Sequence, residues 1–411
     1  MAELDYSQRT VGIIGGGAAG MMASIYAAQN GALVTLFEKN DYLGKKLGIT
    51  GKGRCNVTNN CSADELVRKT PVGGRFLYSA FSTFSSEDTI AFFENAGIKL
   101  KTERGQRVFP ESDKASSIAE GLEKELKKSG AKVLNAKVFS VEKKGNFITK
   151  TDVGLIESES VIIATGGLSY PKTGSTGDGY RFAKGFGHSI IEPTPALIPI
   201  ITEEKDAPEM QGLSLKNVTL KLFKEGKKKP IYEELGELLF THFGLSGPLV
   251  LTASCHIKGE LSDYSLLIDF KPALSKEKLN DRILRDFSEN INKSISNCLG
   301  LLLPQKAIPV IIKRSGINPD KKVNSITAAE REALIENIKG LSFNIAGFRP
   351  IDEAIITSGG VNLTEINPKN MESKLTEGLY FAGEIMDVNA YTGGFNLQIA
   401  FSTGYVAGMN A

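Results

Sequence analysis

The pattern of apolar runs near the start of the chain predicts a β-α-β unit. Thr10–Ile14 is a short apolar strand, and Met21–Asn30 is an Ala- and Met-rich helical segment that stops at Gly31. A second apolar strand, Leu33–Phe37, then ends at Glu38. Two apolar strands joined by a helix are typical of a parallel α/β sheet.

A glycine-rich turn joins the first strand to the helix and reads Gly15-Gly-Gly-Ala-Ala-Gly20. Gly15 allows a tight turn, Gly17 lets the backbone approach a pyrophosphate, and Gly20 lets the helix pack close to the strand. Glu38 is placed to accept hydrogen bonds from a ribose diol. In this context the pattern predicts a dinucleotide site, and the alternative is a glycine-rich turn without a ligand. The site is expected to include Ala18, Ala19 and Lys39.

From about residue 196 to residue 343 the pattern changes. Alternation around Val218–Leu222 and a strand at Tyr264–Phe270 predict antiparallel β structure. Ser275 reads as the N-cap of a helix, and Thr327-Ala-Ala-Glu330 is a capping box for another. The first of these helices is expected to place Leu279, Ile283, Phe287 and Ile291 on one face.

Composition and charge narrow the class of protein. The 411 residues suggest two or three domains, and 49 Lys and Arg against 47 Asp and Glu leave a net charge of +2. This balance leaves no excess of positive charge of the kind that would favour binding to nucleic acid or to an anionic membrane. The dense basic stretch Lys227-Lys228-Lys229 reads as a solvated turn.

The cysteines and apolar stretches indicate a cytoplasmic protein. Four cysteines contain no C-x-x-C pair and form no disulfide framework, which fits a reducing compartment. Three histidines make a His-rich metal site unexpected. The apolar stretch Val11–Ala28 follows acidic residues and is broken by glycines, so it is read as neither a signal peptide nor a membrane span.

Two later segments bear on which dinucleotide is bound. Ser160–Ala164 runs into Thr165-Gly166-Gly167, and Gly378–Gly383 runs into Glu384-Ile-Met-Asp387. They resemble the A-T-G-G and G-x-x-x-A-G-E/D signatures of flavoproteins with two dinucleotide-binding domains. The resemblance implies FAD, with the acid on the ribityl chain or ribose. It also implies a helix starting near Gly393–Gln398 whose N–H groups face the N1/O2 edge of the ring.

The segment Gly44–Asn59 carries a more specific resemblance. It reads Gly-Lys-Lys-Leu-Gly-Ile-Thr-Gly-Lys-Gly-Arg-Cys-Asn-Val-Thr-Asn. It is similar to the signature of a bacterial NAD(P)/FAD-dependent oxidoreductase family, also labelled the aminoacetone oxidase family. That family includes flavoprotein reductases of 3-oxo-Δ4,6 bile acids. Four glycines and no helical periodicity predict a loop whose cations, Lys45, Lys46 and Arg54, point at phosphate or flavin oxygens.

The resemblance implies an α/β fold with a discontinuous FAD-binding Rossmann-like domain of the two-dinucleotide-binding flavoprotein superfamily. This domain is expected over residues 1–195 and 344–411, with an inserted β-barrel-like subdomain over 196–272 and a helical lobe over 273–343. Further cofactor-binding residues are expected at Cys55, Asn56, Val138, Ala164, Thr165, Gly166, Gly383, Glu384, Asp387, Gly394, Asn396 and Leu397.

Three residues are candidate proton donors because they lie near the flavin motifs: Cys55, Tyr170 and Tyr391. Arg54 is placed to lower the pKa of Cys55, and the alternative is a small residue packed against the flavin. His242 is a further catalytic candidate or a structural histidine.

The resemblance implies an FAD-dependent oxidoreductase with a small-molecule substrate. The leading hypothesis is a reductase that transfers hydride from reduced FAD to a carbonyl-conjugated C=C, as in a 3-oxo-Δ4,6 bile acid or steroid enone. The alternatives are an oxidase of a small amine such as aminoacetone, and a flavoprotein acting on a macromolecule. A second nucleotide fold is not evident, so an NAD(P)H donor is expected to bind transiently near the flavin.

Overall fold

The computed structural model describes residues 8–411. These residues form two compact units. Unit 1 comprises the described residues up to Ala196 together with Pro350–Ala411, and unit 2 comprises Leu197–Arg349. No helix in the described part of the chain is both long and apolar enough to cross a lipid bilayer.

The strands, numbered in chain order, have the following bounds. They are β1 (Thr10–Ile14), β2 (Leu33–Glu38), β3 (Thr58–Asn59), β4 (Leu100–Glu103), β5 (Arg107–Pro110), β6 (Lys132–Asn135), β7 (Val138–Lys144), β8 (Asn146–Thr151), β9 (Gly154–Ser158), β10 (Ser160–Ile163), β11 (Ile190–Ala196), β12 (Ile200–Thr202), β13 (Ser214–Lys224), β14 (Tyr232–Phe240), β15 (Gly244–Ser246), β16 (Tyr264–Asp269), β17 (Leu341–Phe348), β18 (Ile356–Val361) and β19 (Leu379–Phe381).

The helices are numbered in the same way. They are α1 (Ala18–Gln29), α2 (Ala63–Arg68), α3 (Tyr78–Thr83), α4 (Ser86–Asn95), α5 (Ala115–Ser129), α6 (Asp178–Gly185), α7 (Asp206–Glu209), α8 (Pro248–Ser254), α9 (Lys276–Glu289), α10 (Ile295–Cys298), α11 (Ile308–Arg314), α12 (Ala328–Lys339) and α13 (Phe395–Asn410).

A parallel five-stranded sheet organises unit 1, in the order β19-β10-β1-β2-β6. Its central strand β1 pairs with β2 and β10, and β10 pairs with β19 from the far end of the chain. The predicted β-α-β unit is therefore present, and the last strand of the sheet comes from a segment more than 200 residues beyond β10. Parallel strands place their carboxyl ends at one edge, where ligands bind in open α/β sheets.

Helices α1 and α13 pack against each other at unusually close range. A Cβ added to Gly404 would lie 2.5 Å from the carbonyl oxygen of Ala19, and one added to Gly408 would lie 2.4 Å from that of Ala23. Only glycine permits this approach at the two positions. The predicted C-terminal helix is thus fixed along the helix that begins at the glycine turn.

Unit 2 contains a closed six-stranded barrel in the order β12-β15-β14-β13-β16-β17. The predicted β-barrel-like insertion is confirmed. Strand β17 crosses the predicted boundary at residues 343 and 344 and closes the barrel by pairing with β12 and β16. A single hydrophobic cluster includes both barrel strands and helices α9, α11 and α12, so the predicted division at residues 272 and 273 stays a prediction.

The two predicted caps in unit 2 open helices α9 and α12. The Ser275 side chain accepts from Lys278 N, and Thr327 forms a capping box with Glu330. The predicted apolar face of α9 is wrong at its end, because Ile291 lies beyond the helix and is 54% exposed. Lys227-Lys228-Lys229 lie exposed in the hairpin between β13 and β14.

Candidate functional site

The glycine turn before α1 has the geometry that a pyrophosphate requires. A Cβ added to Gly15 would lie 2.6 Å from the Ala164 carbonyl oxygen, and one added to Gly20 would lie 1.8 Å from the Gly15 carbonyl oxygen. A Cβ added to Gly17 would meet no atom within 4 Å. The cradle is therefore closed on its protein side and open at Gly17, the position where a phosphate would approach the backbone.

The N-terminus of α1 carries no side-chain cap and no acidic residue in its first turn. Its first N–H groups, which include those of Ala18 and Ala19, therefore remain available to an anion. Gly17 precedes them in extended backbone with φ −81° and ψ −170°. This end of α1 fits the diphosphate of a dinucleotide.

Glu38 lies at the carboxyl end of β2 and is 9% exposed. One carboxylate oxygen accepts from Gly16 N at 2.7 Å, and the other accepts from the backbone and side-chain nitrogens of Asn40, both at 2.7 Å. Each carboxylate oxygen can accept more than one bond. The carboxylate thus shapes the glycine turn and keeps one acceptor site, on the oxygen that bonds to Gly16 N, for a ribose hydroxyl.

Lys39 points toward α6. Its Nζ donates to Thr176 Oγ1 and to Asp178 Oδ2, both at 2.7 Å. This ion pair is about 30% exposed on both sides, so it contributes little to stability. The predicted cofactor role of Lys39 stays a prediction.

The Gly44–Asn59 segment is more regular than predicted. Leu47–Gly53 forms a 3₁₀ helix, and Thr58–Asn59 is strand β3, which pairs with β5. The expectation of an irregular loop is therefore wrong over these residues. The spacing of the glycines does not match the period of an α-helix, but it still allows the i to i+3 hydrogen bonds of the tighter 3₁₀ helix.

The cations of this segment have partners within unit 1. Lys46 Nζ lies 2.6 Å from Glu384 Oε2, and Lys45 Nζ lies 5.8 Å from the centroid of the Tyr42 ring. The predicted orientation of these lysines toward a cofactor stays a prediction.

Arg54 is held by two carboxylates. Its Nη2 lies 2.6 Å from Glu103 Oε1 and 2.5 Å from Asp113 Oδ1, and its guanidinium carbon lies 4.3 Å from the Phe109 ring centroid. Hydrogen bonds to Glu103 and Asp113 raise the pKa of Arg54. The guanidinium therefore anchors the segment to β4 and the loop after β5.

Cys55 is fully buried in the core of unit 1 and has a left-handed φ of 57°. Burial raises the pKa of its thiol to about 12, against a hydrogen bond with Thr50 that lowers it. The expectation that Arg54 lowers this pKa is wrong, because desolvation dominates. The neighbouring Asn56 Oδ1 is buried without a hydrogen-bond partner among the described residues. A buried acceptor that lacks a donor in the protein is suited to accept a hydrogen bond from a bound ligand.

Glu384 is the centre of a polar cluster that joins four segments. Besides Lys46, its carboxylate accepts from Ser169 Oγ at 2.8 Å and from Thr357 N at 2.7 Å. Ser169 and Thr357 are each fully buried. Thr357 Oγ1 also accepts from the backbone nitrogens of Leu168 and Ser169. The cluster fixes the predicted acid beside the Thr165-Gly166-Gly167 turn.

Tyr170 adjoins this cluster. It has a left-handed φ of 52°, is half-buried, and its ring centroid lies 6.0 Å from Lys46 Nζ. Burial raises the pKa of its hydroxyl, so the group is protonated at neutral pH. A protonated hydroxyl can donate a proton or a hydrogen bond.

Buried polar atoms without partners surround the same turn. Thr165 Oγ1 and Tyr180 OH have no hydrogen-bond partner in residues 8–411. Burial, with smaller contributions from the Glu384 and Asp387 carboxylates, raises the pKa of Tyr180. Asp387 accepts from Gly359 N at 3.0 Å.

Helix α13 begins at Phe395, and its N-cap residue Gly394 has a left-handed φ of 95° and provides no side-chain cap. Asn396 does not face outward, since its amide accepts from Ala390 N at 2.9 Å and donates to Ala390 O at 2.8 Å. These two bonds close a turn between Ala390 and Asn396. Tyr391 lies in this turn, and its ring centroid is 5.9 Å from Lys69 Nζ. Asn396 thus closes the turn before α13.

The remaining predicted residues lie in several different elements. Ala164 directly follows β10 and lies against Gly15, and Gly383 packs against Ala19, with an added Cβ 2.9 Å from the Ala19 Cβ. Val138 is the buried first residue of β7, and Leu397 is half-buried in α13. In unit 2, His242 is exposed beside Phe243.

Sequence reasoning missed Ser169, Thr357 and Tyr180. Ser169 lies beside the predicted A-T-G-G turn and Thr357 begins the Thr-Ser-Gly-Gly run, so proximity to glycine motifs was the available signal. Tyr180 carried no signal, because a buried tyrosine is an ordinary core residue.

Known proteins resemble the chain over nearly its whole length. The family described as HI0933-like protein Rossmann domain matches residues 9–410. A "3-dehydro-bile acid delta(4,6)-reductase" of Clostridium scindens is 31% identical and is covered over 98% of both chains. A "Ribosomal RNA dihydrouridine synthase" of Haemophilus influenzae is 32% identical over 97% of both.

A solved structure also resembles the chain. It is the 3-ketosteroid delta1-dehydrogenase of Sterolibacterium denitrificans, with a TM-score of 0.50 and 14% identity over 98% of this chain and 99% of that one. This likeness concerns the fold alone. The predicted α/β class with a Rossmann-type FAD-binding domain and a barrel insertion is confirmed, and the family agrees with the predicted class of FAD-dependent oxidoreductase. The chain belongs to the HI0933-like Rossmann-domain family.

Proposed function

We propose that this chain is an FAD-dependent reductase of a C=C bond conjugated to a carbonyl. The observation that carries the proposal is the full-length similarity to a protein named as a delta(4,6)-reductase, in a chain whose α1 cradle is open at Gly17 and closed elsewhere. FAD, when bound, supplies two-electron chemistry.

Some residues of unit 1 are proposed to bind FAD, and others are proposed to donate a proton to the substrate. The N-terminus of α1 would bind the diphosphate of FAD, and Glu38 would bind the ribose of its adenosine half. Glu384, fixed by Lys46 and Ser169, would hold the ribityl chain, and the N-terminus of α13 would offer its free N–H groups to the N1/O2 edge of the ring.

Tyr170 is the favoured proton donor. Its hydroxyl is protonated at neutral pH, and it is half-buried beside Lys46. Tyr391 is a second candidate. Cys55 is the weakest of the three, because it is fully buried in the core and a packing role explains it.

A small-molecule enone of the 3-oxo-Δ4,6 steroid type is the favoured substrate. The net charge of +2 gives no excess of cations for a phosphate backbone.

A uridine in RNA is the second candidate substrate. The Haemophilus influenzae relative named as a ribosomal RNA dihydrouridine synthase favours it, at 32% identity over 97% of both chains. The C5=C6 bond of uracil is conjugated to the C4 carbonyl, so both substrates require the same reduction. The sequence-based expectation of no nucleic-acid partner therefore stays a prediction. The alternative to both reductases is an oxidase of a small amine.

Anaerobic stopped-flow absorbance at the flavin band separates these functions. Bleaching by NADH or NADPH, followed by recovery with a 3-oxo-Δ4,6 steroid, supports the enone reductase. Recovery only with unmodified ribosomal RNA, accompanied by dihydrouridine in the digested product, identifies the second candidate. Bleaching by aminoacetone without a nicotinamide contradicts both reductases.

The variant Tyr170→Phe tests the proposed proton donor in the same experiment. We expect bleaching by the nicotinamide to keep its rate and recovery with substrate to slow by about 10²-fold or more, the usual contribution of a general acid. Tyr78→Phe is a matched control, because Tyr78 is 51% exposed on α3. Recovery at the wild-type rate in Tyr170→Phe would remove Tyr170 from the mechanism.

A further inference from the structure

Two motifs that are distant in sequence meet at the start of α13. One is the Thr58-Asn59 pair of β3, and the other is the Gly393–Gln398 segment. Asn59 and Gly393 are separated by 334 residues, and Thr58 and Gln398 by 340. Each pair is joined by a hydrogen bond that a buried side chain donates.

Asn59 holds the turn that precedes α13. Its Nδ2 donates to Gly393 O at 3.1 Å and to Gly105 O at 3.0 Å, and the residue is 6% exposed. Both amide hydrogens are therefore used. Gly393 and Gly394 have left-handed φ values of 123° and 95°, a backbone that only glycine adopts readily and that needs an external anchor.

Thr58 holds the first turn of the helix itself. Its Oγ1 donates to Gln398 Oε1 at 2.6 Å, and both residues are fully buried. Gln398 Nε2 donates in turn to Phe84 O at 3.1 Å and Ser85 O at 3.0 Å. The Thr58 backbone also lies directly against Gly394, where an added Cβ would come within 2.4 Å.

We propose that Asn59 and Thr58 are positioning residues that set the potential of the bound FAD by fixing the N-terminus of α13. The proposal rests on the proposed function, in which this helix end faces the N1/O2 edge of the ring. The N–H groups of an uncapped helix N-terminus favour negative charge, and the benefit depends on their distance and orientation. Thr58 and Asn59 are bonded to the first turn of α13 and to the turn before it, so both act through this helix.

The test measures the two-electron midpoint potential of FAD bound to Asn59→Ala. We expect the preference for reduced over oxidised FAD to fall about 10-fold, which corresponds to a potential about 30 mV more negative. Tyr380→Phe is the matched control, because Tyr380 OH donates to Asn410 O at 2.7 Å, at the other end of the same helix. This control should lose thermal stability and keep the wild-type potential.

A second variant covers the case in which Asn59→Ala does not fold. Thr58→Val keeps the shape of the side chain and removes its 2.6 Å hydrogen bond to Gln398, together with a long 3.5 Å contact to the Asn59 carbonyl oxygen. Its potential should also become more negative, by a smaller amount. A wild-type potential in the folded variants, whatever their thermal stability, overturns the inference. Wild-type protein that binds no FAD overturns the proposed function and the inference with it.

Discussion

Replacing Gly17 by Ala should separate the folding of the protein from its binding of FAD. Gly17 has extended backbone that any residue adopts, and a Cβ added to it meets no atom within 4 Å. An alanine at such a position restricts the unfolded chain and stabilises a protein by about 0.4–1 kcal/mol. We therefore expect the free energy of unfolding of the FAD-free variant to equal or exceed that of the wild type.

Binding of FAD should respond in the opposite direction. The added methyl group would occupy the space through which the diphosphate approaches the first N–H groups of α1. Loss of two hydrogen bonds to a charged group, at about 1.5–3 kcal/mol each, amounts to about 3–6 kcal/mol. Each 1.4 kcal/mol is tenfold in affinity, so the Kd for FAD should rise by roughly 100-fold or more.

The assay combines thermal unfolding of the FAD-free protein with titration of FAD by fluorescence. Gly185→Ala is the matched control, since a Cβ at this position in α6 also meets no atom within 4 Å. The control should gain similar stability and bind FAD as the wild type does. An FAD affinity of Gly17→Ala within threefold of the wild type would refute the placement of the diphosphate at α1.

Three further perturbations have defined outcomes. Glu38→Ala should lower FAD retention on dialysis at least 10-fold, since it removes the acceptor of Gly16 N, and a fully yellow dialysed variant would contradict the ribose role. Cys55, whose pKa burial raises to about 12, should resist iodoacetamide at pH 7.5 until the protein unfolds, as peptide mapping would show. Burial lowers the pKa of His188 below its usual 6.5, against the opposing effect of Glu365. The stability that neutral His188 contributes is thus complete above about pH 6.5 and declines as the pH falls below it. The melting temperature of His188→Asn should therefore fall less steeply with decreasing pH than that of the wild type. Equal slopes of melting temperature against pH in the two proteins would contradict this.

The sequence sufficed for the parts of the fold that are encoded locally. Strand β1 has the predicted bounds because a fully buried parallel strand reads as a continuous apolar run. The caps at Ser275 and Thr327 were predictable because a capping side chain bonds within three residues of itself.

Many residues of the candidate site could be predicted from the sequence, but few of the contacts between them could be. Glu384 was expected from its motif, but its bond to Lys46 spans 338 residues, and no local pattern encodes such a pairing. Arg54 was expected to face a ligand, whereas the carboxylates that hold it come from β4 and the loop after β5. The 3₁₀ helix at Leu47–Gly53 was missed because glycine permits many backbones and specifies none.

The close packing of α13 on α1 has a consequence for biosynthesis. The α1 cradle precedes the barrel in the chain and the helix that lies along it, through Gly404 and Gly408, follows the barrel, so the ribosome synthesises α1 well before α13. A nascent chain that already contains the whole barrel therefore still lacks β19 and α13, and its apolar α1 face stays uncovered during synthesis. We therefore expect stable FAD binding only after α13 has been synthesised, and the supply of free FAD at that stage should govern how much protein escapes aggregation.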